Sequence, residues 1–324
     1  VIEYEIENRN SSFLLPYQKQ DSLKARDVII DTIAVDTKFF QDHCNFYINA
    51  NPIKITGNLH QPEQFTFNNF LFKPFFIGKD ITNPLLDVTF DGVHIINNEI
   101  ISPTPTILIT LKDENPFLLL NEETDTSNIQ IEIKYPNSNQ WEKVHYVSAQ
   151  GTPILEWEVA EEENKFIAKY QPTFEEDGNY GLRVQGVDKS GNTSGSQPYE
   201  VYFEVFQKSS ITNVFNYPNP FSTKTHFVFT LTGQEIPDEL TIQILNINGR
   251  LVKQIHLHET EMIRIGNNIT DYYWDGKDDF GDPLANGVYL YRVTAKINNE
   301  EIEHRNSAAD NAFKKGFGKI YLLR

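Results

Sequence analysis

Nucleophilic catalysis needs a thiol or hydroxyl within reach of a base, and the chain holds a single thiol, Cys44, directly after His43. Neighbours in a strand point to opposite faces, so this pair cannot share a proton. No glycine-rich nucleophile loop or helix accompanies them. Cys44 is therefore expected to be a small buried apolar side chain, and no catalytic residue is assigned. A lone cysteine also excludes an internal disulfide.

Metal binding is the second chemistry the residue types allow. The stretch "DGKDDFGD" crowds Asp275, Asp278, Asp279 and Asp282 onto one loop, and clustered carboxylates are what a hard cation such as calcium requires. Their spacing lacks the twelve-residue pattern that ends on glutamate. Turn formation accounts for the same residues, so calcium stays an alternative and no cofactor is expected. His256 and His258, two apart, could share a strand face but have no third ligand nearby. They are read as solvated.

The elements that carry these residues follow from periodicity. Long amphipathic helix patterns are nearly absent, while short alternating segments separated by Gly, Pro, Asn and Asp recur throughout. That pattern predicts an all-β chain of tandem immunoglobulin-like or fibronectin-like sandwiches. At 324 residues, two or three domains are expected.

Charge narrows the partners. With 28 basic against 45 acidic residues and a net charge of -17, no face offers the cationic surplus that phosphates demand, so nucleic acid is excluded. No apolar run reaches membrane-spanning length. The chain is thus expected to be soluble and not membrane-spanning and, starting at Val1, to be part of a longer protein.

Three domains are expected, at 1–80, 81–207 and 208–324. The first ends in "EQFTFNNFLFKPFFI", whose Phe65, Phe67, Phe70, Phe72, Phe75 and Phe76 are read as core rather than as a sugar-binding platform. Its "QPEQFTFNN" resembles the end of CARDB-type adhesion modules. The second holds an Asp91-Gly92 turn and the segment "FEEDGNYGLRVQGVDKSGNTSG", in which Tyr180, Leu182 and Val184 face one way and Tyr180 anchors the strand. Asp177 and Asp188 are turn formers. The third begins with "NYPNPFSTKTHFVFTL", read as an extended opening strand with Phe227, Phe229 and Leu231 inward. An Asn248-Gly249 hairpin follows, and Trp274 fills the core.

"NYPNPF", "QILNINGRLVKQI", "WDGKDDFGDPLANGVYLYRV" and "GKIYLLR", in that order, resemble the FlgD-like immunoglobulin-like domain and the C-terminal domains of type IX secretion system proteins. Together with the upstream module and the ending "FKKGFGKIYLLR", the chain from about residue 60 to 324 is similar to the C-terminal part of PorU-like sortases of the gingipain-type cysteine peptidase family. The resemblance implies a peptidase domain N-terminal to these modules. It further implies a cell-surface location at the outer membrane, and an outer-membrane partner of the type IX machinery, a PorV-like barrel protein.

Within that resemblance the chain is a non-catalytic spacer and docking region. The strand "GKIYLLR" puts Ile320 and Leu322 on one face and Tyr321 and Leu323 on the other, both apolar. One face can enter the core, and an exposed apolar face at a sheet edge invites strand addition or a partner surface. Ile320, Tyr321, Leu322 and Leu323 are therefore expected to form or border the docking surface. Packing beneath the "NNEEIEHRNSAADNAFKKG" insertion is the competing explanation. The alternative function is a C-terminal sorting signal, with adhesion-type modules, of a secreted cargo protein.

Overall fold

The computed structural model describes residues 2–9, 12–15, 28, 30, 32–33, 40, 42–52, 66–115, 118–159, 163–257, 263–305 and 316–324. Among them, strands dominate, and one short tight helical turn, Glu123–Asn128, is the only helical segment. The fold class is all-β, as the period-two alternation requires. The chain divides into two compact units, Val1–Ile81 and Thr82–Arg324.

In the first unit, β1 (Ile2–Glu7), β2 (Ser12–Leu15), β3 (Asp42–Ala50) and β4 (Phe70–Ile77) form one antiparallel sheet in the order β2-β1-β3-β4. Ile6, Phe40 and Cys44 make its small core, with Phe46, Phe75 and Ile77 packed on them. The phenylalanine run does not fill that core. Phe67, Phe70, Phe72 and Phe76 are exposed, and Phe75 alone of the described run is half-buried against the cluster. Phe65 lies outside the described residues. The physical reason is the face: Phe70, Phe72 and Phe76 pair with Asn49, Tyr47 and His43 on the side of the sheet away from Cys44, whereas Phe75 pairs with Cys44 itself, and Phe70 and Phe72 lean on Tyr47 with ring centroids 5.7 and 5.4 Å away.

The second unit contains two separate cores. Around the first lie β5 (Leu85–Phe90), β6 (Glu99–Ile101), β7 (Ile107–Lys112), β8 (Ile129–Lys134), β9 (Glu142–Lys143), β10 (Leu155–Glu158), β11 (Lys165–Tyr170), β12 (Gly178–Gly186) and β13 (Tyr199–Val205). The orders β10-β11-β7-β5 and β6-β13-β12-β8-β9 make a two-sheet sandwich of immunoglobulin type. Alternation sets its core: Ile107, Ile109 and Leu111 of β7 are fully buried and face Tyr180, Leu182 and Val184 of β12. Each such side chain contributes about 2 kcal/mol by burial. The Tyr180 hydroxyl donates to the Glu176 carbonyl at 3.0 Å, which pins the start of β12 as the sequence suggested. Asp91 and Gly92, with φ of 48° and 80°, form the expected two-residue turn.

Around the second core lie β14 (Ser210–Tyr217), β15 (Thr225–Thr232), β16 (Glu239–Leu245), β17 (Leu251–His256), β18 (Gly266–Trp274), β19 (Gly287–Ile297), β20 (Glu300–Glu301), β21 (Glu303–His304) and β22 (Gly318–Leu322). One sheet runs β18-β15-β14-β21, the other β17-β16-β19-β20, with β22 also paired to β19. Phe227, Phe229 and Leu231 point inward as expected, and Trp274 is fully buried against Phe221 and Tyr289. The proline stretch, however, does not open this sandwich. β14 precedes it, so residues 218–224 form the connection between β14 and β15, with both X-Pro bonds cis. β14 begins at Ser210, six residues before "NYPNPF" starts at Asn216.

The two sandwiches of this unit touch where β6 meets β18 and β15. Arg264 reaches Glu99 at 3.4 Å, and Glu99, 8% exposed, also accepts the Ile96 amide. Gly266, at φ +99°, lies so close that a Cβ would stand 2.5 Å from the Ile100 carbonyl oxygen.

Candidate functional site

Cys44 and His43 do separate to opposite faces of β3. Cys44 is fully buried, and burial pushes its thiol up, with the charge of Asp42 adding to the shift. His43 is exposed and edges onto Phe76 at 5.3 Å. A thiol that is both covered and held protonated is a poor nucleophile. His256 is exposed and engaged by Thr241 and Gln254. His258 lies outside the described residues.

The acidic loop resolves into turn chemistry shared by four places among the described residues. Asp278 accepts the amides of Phe280 at 3.0 Å and Asp282 at 2.9 Å, its own amide donates to the Asp282 carbonyl, and the Gly281 amide donates back to Asp278. The same five-residue arrangement runs from Ser148 to Thr152, Asp188 to Asn192 and Asn246 to Arg250. Glycines 151, 191, 249 and 281, at φ between 81° and 90°, occupy the fourth position of each. Since Ser148 and Asn246 serve where Asp278 does, the position needs an oxygen acceptor rather than a charge. This also corrects the hairpin reading: Gly249 takes a positive φ, whereas Asn248 does not.

Two further carboxylates of the loop have partners. Asp275 pairs with Lys277 at 2.9 Å, and Asp279 with Lys253 at 3.3 Å. Burial raises the Asp275 carboxyl, but the hydrogen bonds and charge of Lys277 outweigh it and hold the group below its ordinary value. Asp282 contributes its amide and carbonyl to the turn.

The closing strand divides as its alternation requires. Ile320 and Leu322 are fully buried in the sandwich core and so cannot meet a partner, which corrects their assignment to a docking surface. Tyr321 and Leu323 are exposed, by 40% and 55%. Nor is the strand open to strand addition at its outer edge. One side pairs with β19. On the other, the Phe221 amide donates to the Tyr321 carbonyl and the Leu323 amide to the Phe221 carbonyl, both at 2.9 Å. Asn219 holds the Tyr321 amide and the Lys319 carbonyl as well. The "NPF" residues are thus a clamp on the closing strand.

Sequence reasoning passed over a cleft of about 570 Å³ beside the acidic loop. Its walls include Tyr272, Tyr273 and Phe280, all exposed, with Asp271, Lys253 and Lys277 at the rim. The available signal was the adjacent pair "YY" before Trp274, which breaks strand alternation.

The FlgD Ig-like domain family matches residues 218–299. Among solved structures, the chain is similar to dimeric latent PorU from Porphyromonas gingivalis, at 15% identity and a TM-score of 0.28, covering 90% of this chain and 24% of that one. It is also similar to the fibronectin(III)-like modules of Clostridium thermocellum CbhA, at 12% identity and a TM-score of 0.22 over 73% of this chain and 94% of that one. The chicken CNTN1 FN1-FN3 domains match at 12% identity and a TM-score of 0.22, covering all of this chain and 89% of that one. The chain therefore spans about a quarter of the length of the PorU chain. No curated protein matches.

Proposed function

We propose that this chain is the non-catalytic C-terminal region of a larger cell-surface protein of the type IX secretion system. In this reading, it spaces a PorU-like sortase from the outer membrane and docks it there, on a barrel component of the PorV kind. The observation that carries the reading is that the four motifs resembling type IX C-terminal domains fold into one sandwich. The first of them clamps the last, through Asn219 and Phe221 on Tyr321. The FlgD Ig-like match to residues 218–299 supports the same sandwich. Tyr321 and Leu323 are the exposed large apolar side chains of the closing segment.

Removing β22 would unfold the sandwich, because Ile320 and Leu322 belong to its core. The test is instead Tyr321→Ser with Leu323→Ser in the full-length protein, followed by fractionation of outer membrane and medium. Release into the medium is expected, and full membrane retention of the folded variant refutes docking through this strand. The cargo reading makes a different forecast. If the last sandwich is a sorting signal, mass spectrometry of the mature protein finds it cleaved off, whereas a mature protein that retains residues 208–324 supports the docking role.

A further inference from the structure

The outer face of β18 is built against its own alternation. Tyr273 pairs with His226 and Ile269 with Val228, so four residues of β18 span what two residues of β15 span. Bulges of this kind re-aim side chains. Here Thr270, 2% exposed, holds the distortion: its hydroxyl accepts the Phe227 amide at 3.0 Å and donates to the Tyr272 carbonyl at 2.7 Å. His226 Nδ1 lies 2.8 Å from the Thr270 carbonyl. As a result Asp271, Tyr272 and Tyr273 are exposed in succession, and the two rings lie 6.4 Å apart at 28°.

These side chains line the cleft next to the acidic loop, as does Phe280 of that loop, 90% exposed. Four cleft carboxylates, Asp271, Asp275, Asp278 and Asp279, face two lysines. Lys277 and Lys253 neutralise Asp275 and Asp279, and Asp278 is spent on the turn. The Asp271 carboxylate makes no hydrogen bond or ion pair among the described residues.

The same protein displays what such a combination holds. On the preceding sandwich, the Arg183 guanidinium stacks 4.1 Å from the centre of the Trp141 ring while pairing with Glu200 at 2.8 Å and Glu132 at 3.4 Å. Tyr273 already carries the Lys224 ammonium at 4.9 Å from its ring centre. The cleft sets the same kinds of group, aromatic rings and a carboxylate, side by side. Aromatic faces and carboxylates attract the same ligand, a cation, and a planar guanidinium satisfies both at once. We propose that the cleft between β18 and the 275–282 loop receives an arginine or lysine side chain from a basic segment of a partner polypeptide. The assignment rests on the cleft alone and holds whether or not the closing strand docks at a membrane.

The test is calorimetric titration of the whole chain with a short diarginine peptide, its dilysine counterpart and maltohexaose, at low ionic strength because exposed charge pairs are screened by salt. The diarginine peptide is expected to bind best. Asp271→Asn and Tyr272→Ala together should weaken it roughly three- to tenfold, the scale of an exposed cation–π contact plus a surface ion pair. Both positions are exposed, so the fold should persist, which circular dichroism checks. Glu235→Gln, an equal charge change at the opposite end of the sandwich, should leave binding unchanged. The proposal is overturned if Glu235→Gln weakens binding as much, since attraction is then general to an acidic protein. Binding of maltohexaose in place of the peptides, or of no probe at all, overturns it equally.

Discussion

Asn219 accepts the Tyr321 amide on its Oδ1 at 2.9 Å, across 102 residues of chain, and its Nδ2 donates to the Lys319 carbonyl at 2.8 Å. One side chain therefore satisfies two backbone groups at the outer edge of the closing strand. Asn219→Ala is expected to lower the stability of this sandwich by about 1–2 kcal/mol, two modest hydrogen bonds at a partly solvated edge. Asn219→Asp keeps the acceptor and should cost less. Urea denaturation measures both, and an Asn219→Ala midpoint equal to wild type contradicts the clamp.

Gly266 governs the contact between the two sandwiches of the second unit. Its positive φ disfavours any side chain, and a Cβ would meet the Ile100 carbonyl at 2.5 Å. Gly266→Ala should therefore part β6 from β18, with a loss of more than about 1 kcal/mol. Small-angle scattering should register a larger radius of gyration for the variant. An unchanged scattering profile shows that the seam can absorb a methyl group.

At Asp278 the acceptor matters and the charge does not. Asp278→Asn should be close to neutral, since Asn246 performs the same role, while Asp278→Ala should cost about 1 kcal/mol by stripping two amides of their acceptor. Millimolar calcium is expected to leave Tm unchanged. A calcium-dependent rise in Tm that Asp278→Asn abolishes would overturn the turn interpretation.

Burial pushes the Tyr170 phenol up to about 12, with Tyr135 nearby adding to the shift, and burial alone raises Tyr146 as well. A folded state that holds its protons more tightly than the unfolded chain keeps this stabilisation below the unfolded value near 10. The stabilisation is lost as pH climbs from there toward 12. Each such tyrosine should steepen the loss by up to about 1.4 kcal/mol per pH unit in that window. Guanidinium midpoints measured from pH 8 to 11.5 test this, and Tyr170→Phe should flatten the alkaline limb. A limb of unaltered slope in that variant assigns the effect elsewhere.

Cys44 should behave as packing. Its thiol is expected to resist aromatic disulfide reagents until the first unit unfolds, and Cys44→Ala should cost about 1 kcal/mol. Cys44→Ser should cost more, because it buries a hydroxyl where the thiol had no polar demand. Rapid labelling under native conditions would show that the thiol is reachable.

Residue types and spacing were sufficient for local geometry. Phe227, Phe229 and Leu231, Tyr180, Leu182 and Val184, and the Asp91-Gly92 turn could be assigned because a strand's period and a turn's φ values depend on a few adjacent residues. Trp274 was legible as core for the same reason. Misreadings arose where an apolar residue could equally face in or out. Phe70, Phe72 and Phe76 alternate or cluster as core residues do, yet nothing local says that they share the face of β4 that lies away from Cys44.

By itself, then, the sequence determined the all-β class, the inward face of most strands and the sites where turns form, since each is set within a handful of residues. Tertiary structure alone decided which face of β22 would be covered, that Asn219 would reach Tyr321, and that Thr270 would distort β18 and turn Tyr272 and Tyr273 outward together. These outcomes depend on register between segments tens of residues apart. A shift of one residue in that register exchanges buried and exposed faces without changing any local pattern.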